Sequence, residues 1–117
     1  HAKSVTGQVQ EYIGAHLGEE ITCASMAKLV YLNADYLARL FKKEVGMSIG
    51  AYLHECRIQE AKKLLLQAEL PINEVAQRVG YDNFSYFSYL FRKRTGVSPN
   101  EYRKNSLSAG EKWRGAE

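Results

Sequence analysis

Two clusters of cationic side chains, 50 residues apart, offer the clearest chemistry in this 117-residue chain. The first cluster holds Arg39, Lys42 and Lys43, and the second holds Arg92, Lys93 and Arg94. The guanidinium of Arg39 can donate a pair of hydrogen bonds to O6 and N7 of guanine, whereas a lysine meets phosphate as a point charge. The clusters therefore predict a surface that binds nucleic acid, with Arg39 as the strongest candidate for reading a base.

Side chains beside these cations complete two candidate reading surfaces. The residues predicted to contact base edges are Ala34, Asp35, Ala38 and Arg39 in the first surface and Asn83, Phe84, Ser85, Ser88 and Tyr89 in the second. The residues predicted to contact the phosphate backbone are Lys42, Lys43, Tyr86, Arg92 and Lys93. For any one of these cations alone, an ordinary solvated charge near a helix end is the alternative interpretation. Their duplicated arrangement favours nucleic-acid contact.

The residue patterns typical of enzymes and metal sites do not occur in the sequence. His54-Glu55-Cys56 has no second histidine at the spacing that zinc peptidases use. Cys23 and Cys56 lack metal-ligand spacing, and reduced thiols are favoured over a disulfide for a cytosolic protein. No glycine-rich loop suited to cradling phosphate is present. We therefore expect no enzymatic activity, no metal and no cofactor.

The second cluster lies in a stretch with the signals of two helices joined by a tight turn. Gly80 favours a helix end because glycine readily adopts positive φ, and Asp82 is predicted to cap the next helix. The apolar residues that recur there at spacings of three and four are Phe87, Leu90 and Phe91. An amphipathic segment at 72–79 precedes them. The stretch therefore predicts a helix-turn-helix.

The first cluster lies in a second copy of this unit. Residues 36–48 match residues 86–98 at an offset of 50, with the same tyrosine, leucine, phenylalanine, lysine, glycine and serine at corresponding places. The preceding helices align at an offset of 49, with Ala27 on Ala76, so the second turn is one residue longer. Matching core and stop residues in the same order indicate a duplicated unit.

The remaining patterns predict an all-α chain of about seven helices. The predicted divisions are a first helix-turn-helix unit at 1–47, a connector helix at 48–69, a second unit at 70–105 and a disordered tail at 106–117. A connector of about 20 residues would form a rod of about 30 Å, which could hold two reading helices at a fixed separation. The tail is polar and aperiodic, which is typical of disorder at a terminus.

The chain resembles the DNA-binding domain of the AraC/XylS family of bacterial transcription regulators over about residues 5–105. The matching residues are Gly80-Tyr81, Asp82, Tyr86-Phe87-Ser88, Phe91-Arg92, Gly96-Val97-Ser98-Pro99 and Tyr102-Arg103. The resemblance implies two helix-turn-helix units that place residues 34–45 and 83–95 in successive major grooves of double-stranded DNA. Tyr89 stands where members often have arginine, and Asp35 where they often have a basic or amide residue. We expect the second unit to discriminate bases less strongly.

Residues 31–37 and 41–43 look most like the output domains of response regulators in this family. The resemblance implies a regulatory domain upstream and missing from this chain, with a receiver domain and a ligand-binding sensor domain as equal alternatives. It also makes RNA polymerase a candidate partner. Operator sequence, effector and the sign of regulation are not encoded in any pattern here.

Composition agrees with a small DNA-binding domain without requiring one. The net charge is +3, the pI is about 8.9 and 45% of residues are hydrophobic. These values permit nucleic acid as a partner but lack the large basic excess of histone-like proteins. No apolar run is long enough to cross a membrane, so we expect a cytoplasmic protein. The alternative function is a helical interaction module that docks a transcription partner through its basic faces.

Overall fold

The computed structural model describes residues 4–115, with side chains described over residues 4–108. Within this range the chain forms seven α-helices and no strand, which confirms the predicted all-α class. The helices are α1 (Val5–Ala15), α2 (Cys23–Leu29), α3 (Ala34–Val45), α4 (Ile49–Leu65), α5 (Ile72–Arg78), α6 (Phe84–Thr95) and α7 (Pro99–Gly115). Two compact units, His1–Arg57 and Ile58–Glu117, divide the chain within α4.

The core of the first unit is apolar and is built around α3. Its buried members are Val9, Ile13, Ile21, Met26, Ala27, Leu37, Phe41, Ile49 and Leu53. Phe41 is fully buried, and its ring meets the edge of Tyr52 on α4 at a centroid distance of 5.6 Å. Because Leu37 and Phe41 both face this core, the opposite side of α3 is fixed toward solvent.

The second unit repeats this arrangement around α6. Its buried members are Ile58, Ala61, Leu65, Leu70, Val75, Ala76, Val79, Tyr81, Phe87, Leu90 and Phe91. Phe91 meets Tyr102 on α7 edge-on at 5.5 Å, which reproduces the Phe41–Tyr52 contact at the same offset of 50. The predicted duplication is therefore present in the packing as well as in the sequence.

Asparagine caps α3 and α6, the two helices that carry the candidate reading surfaces. The side-chain oxygen of Asn33 accepts from the Tyr36 N–H at 3.1 Å, and that of Asn83 accepts from the Tyr86 N–H at 2.9 Å. Asp82 was predicted to cap α6, and that prediction is wrong. The longer second turn places Asn83 next to the first helical residue, where a short amide can satisfy a free N–H.

The turns before and after the reading helices require left-handed backbone. Gly46 and Gly96 end α3 and α6 with φ of 93° and 89°, as predicted. Within the turns that precede these helices, Gly80 has φ of 109°, whereas Tyr31 adopts φ of 59° at the matching place. A non-glycine residue in this region is strained by its Cβ, so Tyr31 is an unusual occupant.

An arginine secures the loop before the second helix-turn-helix. Arg103 on α7 donates to the carbonyl oxygens of Leu65, Gln67 and Leu70 at 2.8, 3.0 and 2.7 Å. These acceptors include the last residue of α4, whose carbonyl has no partner within its own helix. The helix therefore ends at Leu65, four residues before the predicted end of the connector at 69.

The first unit uses a similar device. Arg57 on α4 is buried, and it donates to the carbonyl oxygens of Leu17 and Glu19 at 3.0 and 2.8 Å. The loop between α1 and α2 is thereby held by a charged donor that would be costly to bury without partners. Each unit thus fixes the loop that leads into its helix-turn-helix by means of an arginine on the following long helix.

The tail differs from its prediction. Residues 106–115 continue α7, although disorder was expected from 106 onward, while 116 and 117 lie outside the described residues. The physical reason is that extending an existing helix adds one hydrogen bond per ordered residue and needs no new nucleus. No proline follows Pro99 to interrupt the extension.

Cys23 and Cys56 are free, half-buried thiols. Burial raises the pKa of the Cys56 thiol, so its reactive thiolate is disfavoured. No helix among the described residues is long and apolar enough to cross a bilayer. In the same part of the chain, histidine, cysteine and acidic side chains form no group of three or more suited to a metal.

Candidate nucleic-acid interface

The outer face of α3 is polar and carries its predicted base-reading residues. Asp35, Ala38 and Arg39 are exposed, and Lys42 continues the same face one turn after Ala38. Spacings of three and four residues place such side chains on one side of a helix. The buried face, formed by Leu37 and other apolar residues, leaves this side open to a ligand. The major groove of duplex DNA is wide enough to admit an α-helix, so this exposed face can approach the base edges.

Ala34 was also predicted to contact bases, but it occupies a different environment. It is the first residue of α3, it is half-buried, and it packs against the core of the first unit. Its carbonyl oxygen accepts from the thiol of Cys23 at 3.4 Å. Asp35, Ala38 and Arg39 consequently present more of the reading surface than Ala34 does.

The matching face of α6 is polar but chemically different. Ser85 and Tyr89 are exposed and Ser88 is half-buried, at the places that Asp35, Arg39 and Ala38 occupy in α3. Tyr89 exposes 58% of its surface and Phe84 exposes 42%, so both predicted aromatic contacts are accessible.

Asn83, the fifth predicted reader of this surface, is engaged locally. It is the N-cap of α6, and its side-chain oxygen accepts from Tyr86 N–H. An adenine contact through a side-chain amide needs both the oxygen and the NH₂ group. The capping bond accounts for the position of Asn83 at the start of α6, and it leaves the second lone pair of the amide oxygen available.

The predicted phosphate-binding cations are all exposed, but their partners differ. Lys42 and Lys43 lie in the last turn of α3, where the helix dipole favours positive charge. Arg92 on α6 lies 3.6 Å from the carboxylate of Glu101 on α7. Lys93 places its ammonium 5.8 Å from the centre of the Tyr89 ring. In the second unit, Arg92 and Lys93 therefore already contact neighbouring side chains of the protein.

Tyr36 is a further candidate for the interface, and the sequence prediction did not include it. It exposes 49% of its surface at the first turn of α3, and Tyr86 exposes 47% at the matching turn of α6. Tyr86 was predicted to contact phosphate, and a phenolic hydroxyl is a suitable donor for that role. The offset of 50 that aligns the two tyrosines was the signal that could have identified Tyr36.

Two units of this kind define a class of protein. In each, a short helix precedes a longer helix across a tight turn, and the second helix buries an apolar face and exposes a polar, partly basic one. This is the architecture of DNA-binding helix-turn-helix proteins.

Comparison with known proteins identifies the family. The family model "Helix-turn-helix domain" matches residues 26–105. The C-terminal domain of AraT, a response regulator from Geobacillus stearothermophilus, is 40% identical with a TM-score of 0.84, over 88% of this chain and 86% of that one. The chain belongs to the AraC/XylS family of helix-turn-helix DNA-binding domains.

Two further likenesses set the limits of the match. The arabinose operon regulatory protein of Escherichia coli is 39% identical over 80% of this chain but only 32% of its own length. The chain thus spans about a third of the curated relatives it matches. The DNA-binding domain of AdpA, solved with a target DNA, has a TM-score of 0.86 over 92% of this chain and 96% of that one. At 24% identity it supports the fold alone.

Proposed function

We propose that the chain binds specific sequences of double-stranded DNA and thereby regulates transcription, with α3 and α6 as the reading helices. The observation that carries the proposal is the pair of matched helix faces, each exposed opposite a fully buried phenylalanine. A helix held by such a core keeps its opposite face turned to solvent. A rigid face of this kind is what direct readout of base edges requires.

Base contacts are assigned to the early turns of each reading helix. On α3 these are Asp35, Ala38 and Arg39, with the Arg39 fork directed at guanine. Asp35 can accept from the amino group of cytosine. On α6 the base contacts are assigned to Ser85 and Tyr89, with Phe84 beside them. This division leaves the later turns of both helices for the phosphate backbone.

Backbone contacts are assigned to cations in the last turns and to the two tyrosines in the first turns. The assigned residues are Tyr36, Lys42, Lys43, Tyr86, Arg92 and Lys93. Contacts of this kind fix the position of the protein on the duplex and carry no sequence information of their own. The proposed affinity therefore comes mainly from these residues, and the specificity comes from the early turns.

The domain acts, in this proposal, as the output part of a longer bacterial regulator. The matched part of this chain makes up about a third of the length of these curated relatives, and AraT is a response regulator. A regulatory domain, either a receiver or a ligand sensor, would control the output domain, and RNA polymerase would be its partner at a promoter. The site of action would be the cytoplasm, where the bacterial chromosome lies.

The salt dependence of binding tests the proposal. About six neutralised phosphates give a slope of about −5 in a plot of log affinity against log salt concentration. Fluorescence anisotropy with a duplex selected from random DNA would measure this slope. Lys43→Gln should reduce its magnitude by about one. Lys63→Gln is the matched control, because Lys63 is an exposed cation on α4 and outside both reading helices.

A slope near zero would contradict the proposal and would favour the alternative, an interaction module for a transcription partner. A steep slope without preference between duplexes would contradict only the sequence-specific part, since phosphate contact alone supports non-specific binding.

A further inference from the structure

The two reading helices differ in the chemistry that they present to a base. At the matching outward position, α3 carries the flexible cation Arg39 and α6 carries the aromatic Tyr89. At the first helical position, α3 has the half-buried Ala34 and α6 has the exposed Phe84. At these two positions α6 thus carries two aromatic rings, where α3 carries a charged side chain and a methyl group.

In the first two turns of α6, no side chain carries the paired N–H donors that Arg39 can direct at O6 and N7 of guanine. Ser85 and Ser88 carry single hydroxyl groups, which either hydrogen-bond donor or acceptor can satisfy. The first cation on the helix is Arg92, in its third turn, and Glu101 lies 3.6 Å from its guanidinium. Discrimination by this part of α6 must therefore come largely from apolar contact.

Both rings are supported from the protein side. Phe84 stacks on the fully buried Phe87 at a centroid distance of 6.4 Å. Lys93 holds its ammonium 5.8 Å from the centre of the Tyr89 ring, within the range of a cation–π contact. Aromatic side chains supported in this way lose little conformational freedom on binding, which favours them as contact groups.

The major groove offers one apolar group that such rings can recognise. It is the C5-methyl of thymine, which no other natural base pair presents in an unmodified duplex. Resting on the proposed DNA-binding function, we propose that Tyr89 and Phe84 make α6 a reader of thymine methyl groups, while Arg39 makes α3 a reader of guanine. The second unit then favours 5-methylpyrimidines because it buries their methyl group. It does not use paired hydrogen bonds of the kind that Arg39 can make with guanine.

Replacing thymine with uracil removes the methyl group and leaves every base-pairing hydrogen bond intact. In a duplex selected for tight binding, each thymine is replaced singly and the dissociation constant is measured. At one or two neighbouring positions, uracil should weaken binding about fourfold, the fold-change expected when one methyl-sized group is no longer buried. At those positions 5-methylcytosine, paired with guanine, should bind better than cytosine.

Three variants test which side chain causes the preference for thymine over uracil. Tyr89→Ala should bind the thymine and uracil duplexes alike at its position, whereas Tyr89→Phe should keep the preference because the ring remains. Arg39→Ala should also keep it, while losing the response of the wild-type domain to 7-deazaguanine, which lacks the N7 acceptor. Because Tyr89 is largely exposed, the fold should survive both of its substitutions, which circular dichroism verifies.

Sequence-specific binding with no response to uracil at any position would overturn the inference and leave the proposed function intact. Loss of the preference in Tyr89→Phe would also overturn it, because the hydroxyl would then be the contact. Failure of every duplex to bind would overturn both the inference and the function on which it rests.

Discussion

Arg39 and Tyr89 occupy the same position in the two copies of one structural unit, and in the proposed interface they give each copy a different base preference. Both lie on an exposed helix face that a buried phenylalanine orients. The two copies thus share the fold of the unit and differ in the side chains that they expose at this position. At this scale, individual substitutions should separate base contacts from backbone contacts.

Arg39→Ala should relax the base preference at one position of the site and weaken binding to the preferred duplex by about 1–3 kcal/mol. The reason is the loss of a paired hydrogen bond to one guanine. Competition among all single-base variants of a selected duplex measures this. Lys43→Ala is the matched control and should weaken all duplexes alike. An even loss across the variants in Arg39→Ala would reassign Arg39 to the backbone.

Glu101→Gln should strengthen binding to all duplexes equally. Glu101 lies 3.6 Å from Arg92, and its side chain also accepts from the N–H of Ser98 in the cap of α7. Glutamine keeps an oxygen for the cap but removes the charge that competes with phosphate for Arg92. The pair is exposed, so the gain should be about 0.2–1 kcal/mol at low salt.

Glu60→Gln controls for this change, because it removes the same charge from a surface pair with Lys63 on α4. Equal gains in the two variants would show a general charge effect and would contradict the competition for Arg92. The assay is an anisotropy titration at low salt, with both variants measured against one duplex.

Among the helices, the predictable parts were those governed by local chemistry. Asn33 as a cap and Gly46 as a stop follow from single-residue preferences, and Phe41 follows from helical periodicity. Asp82 was a sound chemical choice for a cap. It failed because the longer turn moved the capping position to Asn83, and such a register depends on packing.

Other features of the elements depend on distant contacts. The end of α4 could not be predicted, because the carbonyl of Leu65 receives its hydrogen bond from Arg103, 38 residues later in the chain. The exposure of most candidate site residues was predictable, since they lie on the helix faces opposite the core. Tyr36 was omitted although it matches Tyr86 in the internal repeat.

Phe91→Ala should destabilise the second unit by about 3–5 kcal/mol, because it removes a fully buried ring that contacts Phe87 and Tyr102. The midpoint of thermal unfolding, followed by circular dichroism, should fall sharply. Hydrogen exchange should rise in α5 and α6. Phe84→Ala is the control, since Phe84 is exposed and its loss should change stability much less. An unchanged melting curve for Phe91→Ala would contradict the core assignment.

For the whole domain, two reading helices imply an extended footprint on DNA. Each helix should occupy one major-groove segment, and the segments should lie about 10 base pairs apart. Hydroxyl-radical footprinting of the domain should therefore protect about 15–20 base pairs, with flanking phosphate contacts included. Protection of only about 5 or 6 base pairs would mean that a single helix binds.

The same footprint should be uneven in its base preference. Substitutions in the segment under α3 should change affinity more than those in the segment under α6, because a guanine fork discriminates more strongly than contact with one methyl group. A variant library covering both segments would measure the difference. Equal preference in the two segments would contradict the division of roles between Arg39 and Tyr89.

The two arginines that secure the loops have a consequence for the ancestry of the chain. Both arginines donate to carbonyl oxygens of the loop before their helix-turn-helix, but the donors do not occupy matching positions. Arg103 aligns with Leu53, and Arg57 lies one helical turn farther along its own helix. The position of the loop-securing arginine therefore changed in at least one half after the duplication. The two long helices therefore differ at this position, and a chimera that substitutes α7 for α4 would carry its arginine one turn too early.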